Sequence, residues 1–306
     1  MLVFNLYRPI STTETIILDV DRGYGLNQVI EKLNQRELIT RPLILKAYVR
    51  IFKSKINIKA GEYFISKDES VYQLIKKINE GSVFYRQIRL KEGSTFSEIL
   101  NLFKNNDYVK KDNDFYDLDK IKNKLDLDVD SLEGQFHPDT YNYTKGDSYI
   151  DILNRSNLKH KKILEEHWNL RNLDLPYRNS YEALILASII EKEGIEKKQI
   201  AGVFVRRLKL GMKLQSDPTI IYALGKDYDG DIKRSDIVMK HPYNTYHING
   251  LPPGPIGLVS KSSIKAAINP GEGSSLYFVA KGDGTHHFSD TLKEHNQAVR
   301  KYQLNK

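Results

Sequence analysis

Glu193 is the residue whose setting most suggests chemistry. It closes residues 180–194, a stretch apolar enough to form a buried helix and ended by Gly194. At about 100° per residue, with Leu186 at zero, Ile190 falls at about 40°, Ile189 at about 300° and Glu193 at about 340°. Glu193 therefore projects from the apolar stripe. Glu191, at about 140°, falls on the outer face, and Lys192, at about 240°, falls off the stripe. A carboxylate in such a stripe reaches water at the helix end, pairs with a buried cation, or is held at the floor of a cleft. In the last case burial penalises the ionised form and raises the pKa from about 4.3 toward about 6 or above. A carboxyl that stays protonated near neutral pH can act as a general acid.

Two further segments carry polar groups at constrained positions. In QSDPT (215–219), Asp217 precedes a proline, which biases it to an extended or turn conformation. Asp217 could cap a helix PTIIYALG with Pro218 at its first position, or it could touch a substrate. Gln215 and Ser216 have no evident structural need to be polar. In NTYHINGLPPGP (244–255) the prolines stiffen a loop that presents Asn244, Tyr246 and His247. Amide and aromatic tips on a stiff loop suit carbohydrate, although such loops also serve as plain connectors. Metal ligation is poorly supported: His286 and His287 are adjacent, so on a strand they face opposite sides. There is no H-E-x-x-H helix, phosphate-binding glycine loop or G-x-S-x-G elbow. Asp227, Asp229 and Asp231 alternate without the glutamate a calcium loop requires, and read as a solvated loop.

These residues need elements to hold them. TIILDV (15–20), GEYFI (61–65) and VFYRQIRL (83–90) read as strands. Helices are expected over residues 26–37, 43–53 behind Pro42, and 71–79 behind Asp68 or Ser70 and ended by Gly81. Ser94 or Thr95 with Glu98 forms a capping box for FSEILNLFKN. Residues 107–131 are Asp-, Lys- and Asn-rich and read as a helical or irregular connector between domains, followed by the loop LEGQFHPDTY (132–141). Long helices are expected over 148–171 and 180–194. A third spans 197–211, with Val203, Val205 and Leu208 inward and Arg206, Arg207 and Lys209 outward. The chain then passes through the proline-rich loop to a helix at 262–267, strands at 276–280 and 286–288, and a last helix from Asp290. The fold class is α+β.

The chain has 306 residues, enough for two domains, and 40% of them are hydrophobic, so a real core can form. The absence of cysteine excludes a disulfide scaffold, a thiol nucleophile and any Cys-bearing zinc or iron–sulfur site. A net charge of +8 favours an anionic partner, or is simply a solvated surface. The basic residues are dispersed and form no aromatic-interleaved patch of the nucleic-acid-binding kind. No unbroken apolar run, Ala183–Ala187 included, exceeds five residues, far short of the ~20 residues that cross a bilayer.

LASIIEKEG (186–194), VFVRRLKLGMKLQSDPTIIYALG (203–225), NTYHINGLPPGPIGL (244–258) and LYFVAKGDGTHHFSDTLKEHN (276–296) follow one another in a spacing similar to that of the endolytic murein transglycosylase, or YceG-like, family. LEGQFHPDTY resembles that family's Glu-Gly-x-x-x-Pro-Asp-Thr segment, and KAGEYFISKDESVYQLIKKINEG resembles its small LysM-like domain. The resemblance implies residues 1–20 as a remnant beside a membrane anchor, 21–110 as a LysM-like α+β region and 111–306 as the catalytic domain.

The implied activity is internal cleavage of nascent peptidoglycan strands between N-acetylmuramic acid and N-acetylglucosamine, leaving 1,6-anhydro-muramyl ends and terminating elongation. Glu193 matches the family's catalytic glutamate. It would protonate the bridging oxygen and then remove the C6 hydroxyl proton. The nucleophile is tethered to the reacting ring, so one carboxylate suffices where a hydrolase uses two. Gln215, Ser216, Asp217, Asn244 and Tyr246 are then candidates for holding the sugars and stabilising oxocarbenium charge. No metal or organic cofactor is implied. The implied partners are peptidoglycan strands and a peptidoglycan synthase, not nucleic acid. Family members carry a single N-terminal membrane helix that places the catalytic part on the periplasmic side of the cytoplasmic membrane. This sequence starts without one, which suggests a late start or a trimmed chain in preference to a soluble version. Two other readings stay open: a hydrolase using Glu193 with Asp217, and a non-catalytic peptidoglycan-binding scaffold.

Overall fold

The structure is a computed structural model that describes residues 7–12, 14–52 and 57–304. The start of the remnant expected over 1–20, residues 1–6, and residue 13 within it lie outside the described residues. In chain order the first part runs β1 (Ile16–Val20), α1 (Leu26–Gln35), α2 (Pro42–Phe52), β2 (Gly61–Ile65) and α3 (Val71–Glu80). Then come β3 (Arg86–Arg89), α4 (Phe96–Lys104), α5 (Leu118–Lys124), β4 (Thr140–Tyr143) and α6 (Tyr149–Asn169). The remainder is α7 (Ser180–Glu193), α8 (Lys197–Lys209), α9 (Asp217–Leu224), α10 (Arg234–Ile237), α11 (Lys261–Ile268), β5 (Tyr277–Ala280), β6 (His286–Ser289) and α12 (Leu292–Val299). The described strands form two-stranded sheets, β1–β2, β3–β4 and β5–β6, so the α+β class holds.

The chain divides into two compact units. One comprises residues 1–88, 107–110 and 142–147, the other residues 89–106, 111–141 and 148–306. In the first unit β1 and β2 pair antiparallel, with Leu18 opposite Tyr63 and Ile16 opposite Ile65. Their inward side chains pack with Val29, Ile30 and Leu33 of α1 and Leu74 and Ile78 of α3. Local chemistry sets the boundaries of α3. Ser70 Oγ accepts from Gln73 N, Gln73 Oε1 accepts from Ser70 N at 2.8 Å, and Gly81 takes the left-handed conformation at φ 77° that ends the helix.

In the second unit α7 is the central element. Asn179 caps it by accepting from Glu182 N at 2.9 Å. Every residue from Ala183 to Ile190 is buried, because α6, α8, α9 and α11 all pack on it. A helix that is apolar all round belongs in an interior, and this one has no wet side along that stretch. Two expectations of outward-facing side chains fail. Glu191 is not on an outer face: its side chain is 6% exposed, and Lys197 Nζ (2.5 Å), Ser260 N (2.8 Å) and Ser260 Oγ (2.5 Å) all donate to it. Arg207 does not point outward: it is buried under Leu276 and the 213–214 segment. The segment 107–131 contains the helix α5, and Phe115, Ile121, Leu125 and Leu127 within it are buried. Among the described residues no helix is long and apolar enough to cross a membrane.

The Glu191 cluster gives a clean stability prediction. Burial would raise its pKa, but the Lys197 and Ser260 donors outweigh burial and lower it below the usual glutamate value of 4.5. The stabilising contribution is therefore present above about 4.5 and lost as pH falls through the lowered native value. Glu191→Gln should cost about 2 kcal/mol at neutral pH and flatten the acid loss, measured as melting temperature from pH 7 down to about pH 3.

Candidate active site

α7 ends at Glu193, and its rigid burial fixes where that carboxyl sits. Glu193 is half-buried and lines a cleft of about 520 Å³ in the second unit, with Arg207, Gln215, Asp217, Tyr246 and His286. Ser216 Oγ donates to Glu193 Oε1. The carboxyl is pushed up to about 7, chiefly by burial and further by the Asp217 charge; the Ser216 hydroxyl and Arg207 oppose this. The group is therefore protonated over most of the range below neutrality while still facing a cleft.

Ser216 occupies the N-cap position of α9, yet its hydroxyl makes no cap bond and turns to Glu193 instead. Asp217 is the first helical residue, one position later than the cap expected of it, and Pro218 follows in the first turn. Asp217 accepts from Tyr246 OH at 2.7 Å, which pushes the phenol's pKa up, in addition to the larger effect of burial. Gln215 is exposed and lies in the left-handed region at φ 50°, which is uncommon for a residue with a side chain. Its backbone N donates to Thr245 O at 3.2 Å, so the 215–217 segment is laced to the 244–246 segment.

The lacing is done by buried hydroxyls. Thr245 Oγ1 accepts from Ser216 N at 2.9 Å and lies 2.9 Å from Thr219 Oγ1, which donates to Ser216 O at 2.6 Å. Asn244 is 0% exposed, and its amide is spent inside the loop. Nδ2 donates to the carbonyls of Asp236 (3.2 Å), Ile237 (3.0 Å) and Met239 (2.8 Å), and Oδ1 accepts from Tyr246 N at 3.0 Å. The structure thus brings Gln215, Asp217 and Tyr246 to the cleft beside Glu193 and places Ser216 beneath them, whereas Asn244 shapes the loop from within. Ser188 Oγ of α7 accepts from Ile256 N at 3.0 Å and anchors the proline-rich end of that loop.

Arg207 is the residue most misjudged by helix periodicity. Its Nε donates to Leu276 O at 2.7 Å and Nη1 donates to Leu214 O at 2.8 Å and Lys213 O at 3.3 Å. It ties β5 to the segment that leads into Gln215, and its charge opposes the rise in the Glu193 pKa. His286 also lines the cleft, and a pair of adjacent histidines carries no local signal for that placement. Among the described residues no group of three or more His, Cys, Asp or Glu is placed to hold a metal.

A second carboxyl titrates in the same range. Glu133 is pushed up to about 7 by burial, against the opposing effects of Phe96 N, Tyr222 OH and Lys192. It accepts from Phe96 N, at 3.0 and 3.2 Å to its two oxygens, and so caps α4 from outside that helix. Ser216→Ala separates the two groups in a pH profile. Loss of a donor to the ionised form raises the Glu193 pKa further, so any activity requiring protonated Glu193 should persist to higher pH. If the limb belonged to Glu133, the same substitution would leave it in place.

The larger cavity, about 780 Å³, lies in the first unit between Ile10, Leu38, Leu45 and Val71, with Arg41 and Lys67 at its edge. Its one acidic lining residue, Asp68, has no comparable burial.

The YceG-like family matches residues 18–301. A protein of Bacillus subtilis (strain 168) named endolytic murein transglycosylase is 30% identical over 308 residues, covering 94% of this chain and 85% of its own length. A protein of the same name from Streptococcus pneumoniae serotype 2 (strain D39 / NCTC 7466) is 26% identical over 324 residues; the match covers 94% of this chain and 58% of that protein. A crystal structure of a YceG-like protein from Listeria monocytogenes aligns with a TM-score of 0.59 at 29% identity, over 94% of this chain and 99% of that one.

Proposed function

Since the chain belongs to the YceG-like family, we propose that it is an endolytic lytic transglycosylase of peptidoglycan with Glu193 as its catalytic acid. It is a carbon–oxygen lyase acting on a polysaccharide. The observation that carries the residue assignment is Glu193 itself. It is a half-buried carboxyl pushed up to about 7, fixed by a fully packed helix, facing a cleft and held by one hydroxyl. Those are the properties a general acid needs near neutral pH.

The substrate is nascent glycan, and the bond cut joins N-acetylmuramic acid to N-acetylglucosamine. Glu193 gives its proton to the bridging oxygen as the bond to the muramyl C1 breaks. The C6 hydroxyl of the same ring closes onto C1 and yields the 1,6-anhydro end. Because that hydroxyl is already tethered, no second carboxylate is required to deliver a nucleophile. Tyr246 and Asp217 stand together at the cleft and are suited to bonding sugar hydroxyls, while the Asp217 charge favours a developing oxocarbenium ion. Gln215, exposed and conformationally constrained, is suited to the same task. Ser216 holds Glu193, and Asn244 holds the loop that carries Tyr246. Such cutting terminates strand elongation beside a peptidoglycan synthase. The polymer lies outside the cytoplasmic membrane, so the proposal puts the catalytic unit on the periplasmic face and gives the LysM-like role to residues 21–110.

Borohydride reduction of the products tests the reaction type. Anhydro ends have no free anomeric carbon and take up no hydride. Reducing ends would instead show hydrolysis, with Glu193 and Asp217 working as a pair. Binding without any product would leave the scaffold reading.

A further inference from the structure

Closure of an anhydro ring moves two protons, one onto the departing O4 and one off the attacking O6. A single carboxyl can handle both only by facing each oxygen in turn. The cleft holds another group with the right chemistry. His286, on β6, lines the same cleft as Glu193, and its side chain is 9% exposed. Its Nδ1 lies 2.8 Å from Glu196 Oε2, and the same oxygen accepts from His286 N at 2.7 Å. A carboxylate only accepts, so Nδ1 carries the hydrogen and Nε2 is left with a free lone pair. Among the described residues no hydrogen bond reaches Nε2. The ring stands edge-on to Phe278, with centroids 5.3 Å apart. It also packs against Gly194, the residue after Glu193, so closely that a Cβ there would lie 2.6 Å from His286 Cε1. The ring is thus fixed on three sides beside the backbone that carries the acid.

Resting on the reading of Glu193 given above, we infer that His286, oriented by Glu196, is the base that accepts the C6 hydroxyl proton. In the step, the C1–O4 bond breaks and O4 takes the Glu193 proton. The C1–O6 bond forms and the O6 proton passes to His286 Nε2. The imidazolium and the Glu193 carboxylate are then reset by one proton transfer through solvent, with no external reactant. Glu196 acts as a positioning residue: it fixes the tautomer and stabilises the imidazolium, as the aspartate does in a Ser-His-Asp triad. The charged and titratable groups sharing the cleft are Glu193 at the end of α7, Arg207 of α8, Asp217 of α9, Tyr246 of the 244–255 loop, Tyr277 of β5 and His295 of α12.

The test is kcat/KM against pH on un-crosslinked glycan for the wild type, His286→Asn, Glu196→Gln and Glu193→Gln. Asparagine can still donate to Glu196 while lacking an acceptor at the Nε2 position. The wild type should show a bell, falling at low pH as the base protonates and at high pH as Glu193 ionises. In His286→Asn the rate should fall about 10²-fold and the low-pH limb should vanish. Glu196→Gln should fall roughly tenfold and displace that limb, since it keeps the imidazole but loses its orienting charge. A low-pH limb retained in His286→Asn, or a loss by one constant factor at every pH, would reduce the pair to a tie between β6 and α8. Should His286→Asn fail to fold, Glu196→Gln decides alone: an unmoved limb overturns the inference. An active Glu193→Gln would instead overturn the reading beneath it, whatever the histidine variants do.

Discussion

Glu193→Gln should lower turnover of nascent glycan by about three orders of magnitude while leaving the fold at least as stable. Glutamine keeps the length of the side chain and an oxygen that can accept from Ser216 Oγ, so the end of α7 and the start of α9 remain joined. It cannot deliver a proton to the bridging oxygen. Stability should move the other way at alkaline pH. The Glu193 pKa is raised from 4.5 to about 7 in the native state. The native state therefore binds the proton more tightly; its full contribution holds below about 4.5 and is lost as pH rises through about 7. Glutamine carries no charge to bury, so at pH 8 the variant should melt at or above the wild-type temperature. Activity and stability measured on one preparation thus distinguish loss of the acid from loss of the fold. In the wild type, kcat/KM should fall as pH rises through about 7.

Asn244→Ala should be the most damaging change for the loop architecture, at about 3 kcal/mol or more. The amide is fully buried, donates to three backbone carbonyls and accepts from Tyr246 N. Alanine leaves those groups buried without partners, and each orphaned group costs on the order of 1 kcal/mol. Asn244→Asp, nearly identical in shape, should be at least as harmful, since a carboxylate facing three carbonyls has no donor to offer. Activity should fall with stability, because Tyr246 is set by this residue and carries the hydroxyl bonded to Asp217. The check is the urea midpoint of each variant against glycan turnover. A midpoint shift worth less than about 1 kcal/mol would mean that other bonds hold the loop.

The elements were legible where local rules govern them. Ser70 and Thr95 begin helices where capping chemistry places them, and the 3.6-residue period put Glu193 on the apolar stripe of α7. The same period misread Glu191 and Arg207. A helical wheel assumes one wet face, whereas α7 is covered on several sides and the Arg207 face of α8 is roofed by carbonyls. Asn244 illustrates a different limit. An amide on a stiff loop looks the same in sequence whether it meets a sugar or its own backbone, and only burial separates the two. The lacing of Ser216 and Thr219 to Thr245 was invisible for want of any signal at those separations, 29 and 26 residues. Glu196 and His286 stand 90 residues apart, and no local pattern joins them.

Mass spectrometry of un-crosslinked nascent glycan, incubated with the wild type and with Glu193→Gln side by side, tests the central claim most directly. Internal fragments that end in 1,6-anhydro-muramic acid, each one water lighter than its hydrolytic counterpart, should form with the wild type and be absent with the variant. The same anhydro fragments at undiminished yield from Glu193→Gln would contradict the assignment of the acid. Fragments carrying that extra water would contradict the lyase reaction itself.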